Sequence, residues 1–185
     1  KTTVSAERML VNLIRRAQAL KRAGEPVPAS ESLALFLGKP FTIETLKNDR
    51  TALAVFGRMD DHDIWGAIKL WSHHKDRILA LLSRMITDRK LFQIVLSNEP
   101  IRKSVVEKIR TSLTEKYQTL RAESSYLYSQ GTVTNEAYTE GEKINILTRS
   151  GELLDIAQAS DLPNIKALSK IVKKNYLCWP KDVSL

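Results

Sequence analysis

Along this chain the spacing of apolar residues changes character once, near residue 90, and that change decides the fold class. From Ser5 to Ala23, Met9, Leu10, Leu13, Ile14, Ala17 and Leu20 recur at helical spacing, with Ser5 placed to cap and Gly24, Pro26 and Pro28 placed to stop. Ser30 to Leu37 reads as a short helix burying Leu33, Phe36 and Leu37, and Thr42 opens a further turn or two. The Asn48-Asp49 pair breaks that segment and caps a helix carrying Leu53, Val55 and Phe56. Asp60, Asp61 and Asp63 then precede Ile64, Trp65, Ile68 and Trp71, which puts carboxylates at the positive end of a helix dipole ahead of a stripe expected to be buried. After the polar joint Ser72-His73-His74-Lys75, Ile78, Leu79, Leu82, Met85 and Ile86 define another helix. Residues 1–90 are therefore expected to form an all-helical region.

Beyond residue 90 the pattern shortens. Leu91 to Leu96 is too brief for a helix and rich in strand formers, so it predicts a strand; Ile101, Val105, Ile109 and Leu113 then give a helix to about Tyr117. A second strand is expected from Tyr126 to Thr134, followed by a polar loop over 135–142. Ile144, Ile146 and Thr148 alternate before Ser150-Gly151, and Leu153 to Ile156 resumes after it, which is a hairpin pattern. Asp161 caps a helix containing Leu168, Ile171 and Val172, and Asn175 to Trp179 is a last strand ended by Pro180. Residues 91–185 read as β-α-β-β-β-α-β, an α+β lobe in which a small antiparallel sheet is covered by two helices.

Charge and cysteine content narrow the setting. The chain carries 29 basic and 21 acidic side chains among 185 residues, and most of the net charge of +8 lies in residues 1–98, which hold 16 and 10 of them. Such a balance favours phosphate-bearing partners through long-range attraction. It concentrates on the long first helix, whose polar face holds Arg8, Arg15, Arg16, Lys21 and Arg22 with no acidic residue after Glu7, a candidate basic face. The uncharged apolar runs 33–38, 51–57 and 91–98 are far shorter than the roughly 18 residues of a membrane helix, so no membrane association is expected. Cys178 is the single cysteine and no secretory signal is visible from Lys1 onward, which together predict a reducing, cytoplasmic setting.

Each chemical motif in the sequence has a plainer structural reading. Asp60-Asp61-His62-Asp63 and His73-His74-Lys75-Asp76 have metal-ligand composition, but all three histidines fall between positions 62 and 74 and nothing elsewhere completes a shell. Helix caps and a solvated joint explain them, and no metal site is expected in these residues. Cys178 sits in an apolar strand beside Trp179, as a small buried hydrophobe does. Seven glycines spread singly leave no phosphate-cradling loop or nucleophile elbow. Tyr126, Tyr128 and Tyr138 near Arg121, Lys143 and Arg149 are the candidates for base stacking, yet Glu136, Glu140 and Glu142 lie among them, so nucleic acid is not an expected partner.

Three blocks carry a family resemblance: the opening 1–10 (KTTVSAERML), the block 59–71 (MDDHDIWGAIKLW), and Asp88-Arg89-Lys90-Leu91-Phe92. They resemble the C-terminal half of bacterial HD-superfamily phosphohydrolases, enzymes similar to the dGTP and dNTP triphosphohydrolases. Segments 144–147, 155–161 and 174–180 resemble the tail of the Bacteroidetes-type members. The resemblance implies a metal-binding motif (a His, an adjacent His-Asp pair and a distant Asp) N-terminal to the matched region, so that His62-Asp63 is not that pair. It implies a divalent metal (Mn, Mg, Fe or Zn) in the preceding catalytic core, with no cofactor and no catalytic residue here. Lys1 matches a nucleotide-phosphate contact of triphosphohydrolase relatives. The expectation is a non-catalytic C-terminal portion: residues 1–90 complete the preceding helix bundle, and 91–185 form a lobe for assembly or regulation in a homo-oligomer. The alternative is a stand-alone basic module that binds an acidic protein or nucleic acid through Arg15 and Arg16.

Overall fold

The computed structural model describes residues 2–135, 145–155 and 172–184. Among them run α1 (Thr2–Arg22), α2 (Glu31–Gly38), α3 (Ile43–Asn48), α4 (Arg50–Arg58), α5 (Asp61–Trp71), α6 (Arg77–Thr87), β1 (Gln93–Ser97), α7 (Lys103–Tyr117), α8 (Arg121–Ser124), β2 (Ser129–Asn135), β3 (Asn145–Leu147), β4 (Leu153–Asp155) and β5 (Val172–Trp179). The fold is α+β: β1, β5 and β2 make a small antiparallel sheet with β5 in the middle. Strands β3 and β4 pair as an antiparallel hairpin with Ile146 opposite Leu154. Its turn places Gly151 at φ 83°, a left-handed conformation in which a side chain would be strained.

Short side chains set the helix starts. Ser30 accepts a hydrogen bond from the Leu33 amide at 3.2 Å, and Asp49 from that of Ala52 at 2.9 Å. Asp60 accepts from His62 at 2.8 Å while Asp63 accepts from the Asp60 amide at 2.9 Å, closing a capping box. Asp76 caps α6 by accepting from Leu79 at 2.8 Å. Each such cap is worth about 1 kcal/mol. At the other end of α1, Gly24 takes φ 83°, the left-handed conformation that ends a helix.

The chain clusters into two compact units, one of Lys1–Val95, Arg102–Ser129 and Leu177–Leu185, the other of Leu96–Ile101 and Gln130–Tyr176. In the first, α1 packs against α2 and α6, and α5 against α6. Met9, Leu13, Leu37, Ile68, Trp71, Ile78, Leu79, Leu82, Ile109 and Leu113 are fully buried there. At roughly 1.5–3 kcal/mol for each large side chain, this burial is the main stabilising contribution. The Trp71 indole N–H donates to the Pro28 carbonyl at 2.7 Å, so the loop after α1 is tied to the end of α5. Asn12, 3% exposed, donates to the Tyr126 and Tyr128 carbonyls at 3.0 and 3.1 Å, and Ser5 donates to the Phe92 carbonyl at 2.5 Å. In the second unit, Tyr176 covers Gly131, where a Cβ would come within 3.0 Å of the Tyr176 hydroxyl.

Several expectations are corrected. Trp65 is 49% exposed, because the buried side of α5 runs through Ala67, Ile68 and Trp71 and Trp65 faces away from it. Leu10 is exposed, while the polar Ser5 and Asn12 take buried places on α1. The first strand starts at Gln93 rather than Leu91, and the second at Ser129 rather than Tyr126, whose amide and that of Leu127 instead close the turn leaving α8 on the Glu123 and Ser124 carbonyls. Val172 belongs to β5 rather than to a helix. The loop residues 136–142 and the helix expected after Asp161 lie outside the described residues.

Trp71→Phe removes the donor to Pro28 and leaves a gap in a dry core, and should lower unfolding free energy by about 2 kcal/mol. A urea titration with an unchanged slope and a lower midpoint is the expected result.

Candidate functional site

The α1 polar face divides on inspection. Arg15 and Arg22 are exposed, and Lys21 is partly buried. Arg8 lies 3.4 Å from Glu7, a pairing that contributes little at the surface. Lys1 lies outside the described residues. Arg16 turns inward: its Nε donates to Asp76 Oδ1 at 3.0 Å, and one terminal nitrogen to Asp76 Oδ2 at 2.5 Å and to Glu123 Oε1 at 3.0 Å. Its guanidinium also stands 5.3 Å from the centre of the Tyr126 ring. The bidentate bond it donates to Asp76 holds Arg16 above its ordinary pKa, against the opposing effect of burial. Burial raises the Asp76 carboxyl, but the bond from Arg16 and the Leu79 amide outweigh it, so Asp76 lies below the usual carboxylate range. Arg16 therefore belongs to an internal ion cluster joining α1, the start of α6 and α8.

The three histidines do not converge. His62 is 96% exposed at the side chain, on the first turn of α5. His74 Nδ1 accepts from the Asp76 amide at 2.9 Å, which leaves Nε2 as the donor to the Pro26 carbonyl, also at 2.9 Å. Both ring nitrogens are thus used in shaping the joint between α5 and α6. Among the described residues no group of three His, Cys, Asp or Glu is placed to hold a metal ion.

Spacing arguments passed over a cationic cleft of about 290 Å³, lined by Lys75, Arg77 and Arg84 from one side and Lys116, Tyr117 and Thr119 from the other. No carboxylate is among its lining residues. Lys75 reaches out to Glu25 at 2.5 Å and Lys116 to Asp182 at 3.1 Å. Arg77 and Arg84 meet main-chain carbonyls, those of Tyr117 at 3.4 Å and Ser72 at 2.9 Å. Gln118, at φ 48°, bends the chain so that Thr119 continues the wall. In the sequence, the sign is Arg77 and Arg84 seven residues apart on one helix, a spacing that puts both on one face.

Cys178 is fully buried in β5, its Sγ 3.5 Å from the Ser129 carbonyl. Burial pushes its thiol up to about 11, which suits a packing residue and not a nucleophile.

No protein-family model matches the chain, and no curated protein does. Among solved structures, a phosphohydrolase from Bacteroides thetaiotaomicron is similar, with a TM-score of 0.84 and 34% identity over 98% of this chain and 45% of the phosphohydrolase chain. This chain thus spans less than half of that protein's length and has a phosphohydrolase-related fold.

Three measurements check the interior. Arg16→Met leaves Asp76 partly buried without its counter-charge and should cost about 3 kcal/mol in a denaturant titration. Asp76→Asn keeps a capping oxygen; because the depressed carboxyl stabilises the fold when ionised and loses that contribution as pH falls below about 4, the variant should show a shallower acid limb than the parent. Native Cys178 should resist iodoacetamide at pH near 8 and react fully on unfolding, as followed by mass spectrometry.

Proposed function

We propose that this chain is the C-terminal, non-catalytic portion of a metal-dependent HD-superfamily phosphohydrolase of the nucleotide triphosphohydrolase type. It completes the packing of a preceding catalytic helix bundle and contributes to assembly or regulation. The observation that carries the reading is the coverage: 98% of this chain aligns with 45% of a phosphohydrolase at 34% identity, which leaves more than half of that enzyme to hold other machinery. The resemblance of the blocks at 1–10, 59–71 and 88–92 to the C-terminal half of such enzymes supports the reading.

Exposed apolar side chains support it. Leu10 and Val11 on α1, Leu53 and Phe56 on α4, and Trp65 and Leu70 on α5 are each between 37% and 57% exposed. All six lie in the helical residues assigned to completing the bundle, and covering such surface is what drives one helical layer onto another. In this reading the divalent metal and the residues that activate water belong to the preceding segment, the working protein is a cytoplasmic homo-oligomer, and Lys1 is the residue that would contact a nucleotide phosphate. The alternative, a free-standing basic module, draws on the exposed Arg15 and Arg22 but has lost Arg16 to the internal cluster.

The test is enzymatic. The coding sequence ahead of Lys1 is expected to encode a His, a His-Asp pair and a later Asp, and the whole protein to hydrolyse nucleoside triphosphates with Mn²⁺ or Mg²⁺. The 185 residues alone are expected to be inactive under the same conditions, and hydrolysis by them would overturn the assignment. In the whole protein, Trp65→Glu should weaken assembly or activity while the isolated 185 residues keep their melting temperature.

A further inference from the structure

We infer that the cationic cleft beside α6 is a binding site for an oligophosphate, a ligand carrying two or more linked phosphate groups. Three observations converge on this. First, the cleft is lined by Lys75, Arg77, Arg84 and Lys116 with no carboxylate among the lining residues. Lys75 and Lys116 line the cleft while each also holds a carboxylate, Glu25 and Asp182, and among the described residues the two arginines have no carboxylate partner; both are exposed and donate to carbonyls. Second, Arg77 opens α6, whose first turn carries no acidic residue beyond the cap. The Asp76 cap at that end is already committed to Arg16 and to the Leu79 amide, so a cation there leaves the positive end of the helix dipole open to a further anion.

Third, the geometry selects for length. Arg77 and Arg84 are seven residues apart, about 10 Å along the helix axis. One phosphate engages one guanidinium fork; a chain of phosphates spans from one to the other, with Lys116 at its side. A volume of about 290 Å³ admits such a chain. The recognised chemistry is shared by inorganic oligophosphates and the tails of nucleoside triphosphates. The cleft is lined wholly by residues between His74 and Thr119, so it does not rest on the proposed catalytic core.

Calorimetric titration of the intact protein in EDTA, which silences any metal-dependent site, decides it. The probes are inorganic tripolyphosphate and a nucleoside triphosphate, with sulfate as a single-anion control. Saturable one-site binding of tripolyphosphate is expected, weakening with added salt. Arg77→Gln with Arg84→Gln should weaken it about tenfold or more, whereas Arg15→Gln, on the exposed face of α1, should leave it unchanged. Equal affinity for the two probes identifies the inorganic chain as sufficient; tighter binding of the nucleotide, lost in the same double variant, identifies the nucleotide as the source. Lack of saturable binding, sulfate binding as tight as tripolyphosphate, or affinity retained by a double variant that melts like the parent would each overturn the inference. Lys116→Met is a second variant, expected to weaken tripolyphosphate several-fold, should the double variant melt early.

Discussion

One guanidinium organises the larger unit. Arg16 sits two-thirds of the way along α1 and is held by a fork to Asp76 and a further bond to Glu123, against the ring of Tyr126. Asp76 answers twice, to Arg16 and to the Leu79 amide in the first turn of α6, so one carboxylate ties the start of α6 to α1. His74 then fixes the approach to that carboxylate by accepting from its amide while donating to Pro26. Such a cluster offers modest net stability, since desolvation offsets much of the attraction, but it is intolerant of slippage. The apolar contacts beneath supply the energy, and the ions supply the register.

Much of this was legible from residue spacing. The cap at Asp49, the carboxylates that open α5, the switch of period near residue 90, and the hairpin about Ser150-Gly151 all come from local chemistry that a linear pattern preserves, whereas Ser5, expected to cap α1, lies buried inside it because the helix begins at Thr2. Asn12 and Arg16 were not legible as interior residues, because each looks like surface on a helical wheel and is buried by partners more than 50 residues away. Trp65 failed the other way: its stripe is helical, but the neighbours of α5 cover only one side of it. The cationic cleft escaped notice for the same reason as Arg16, since Lys116 meets Arg77 and Arg84 only after folding.

The fold thus separates two kinds of surface on its helices. Leucine, phenylalanine and tryptophan side chains on α1, α4 and α5 lie exposed, Phe56 with its ring centre 5.7 Å from that of Phe36, which is in turn 4.8 Å from Phe41. The charged side chains of α6 and α7 instead gather around a hollow. An apolar face suits a permanent neighbour, because exposure of that area is unfavourable at every moment. A hydrated cationic hollow suits a ligand that comes and goes, because water serves it when empty.

The larger unit draws on three separate stretches, the last of them Leu177–Leu185. Trp179, buried and bonded through its indole to the Val183 carbonyl, and Leu177 and Cys178 beside it join the interior only with that stretch. During synthesis, α1 through α6 emerge long before the residues that close their core. The nascent chain must therefore carry open apolar surface until translation reaches β5, the interval in which chaperones and faulty pairing compete for it.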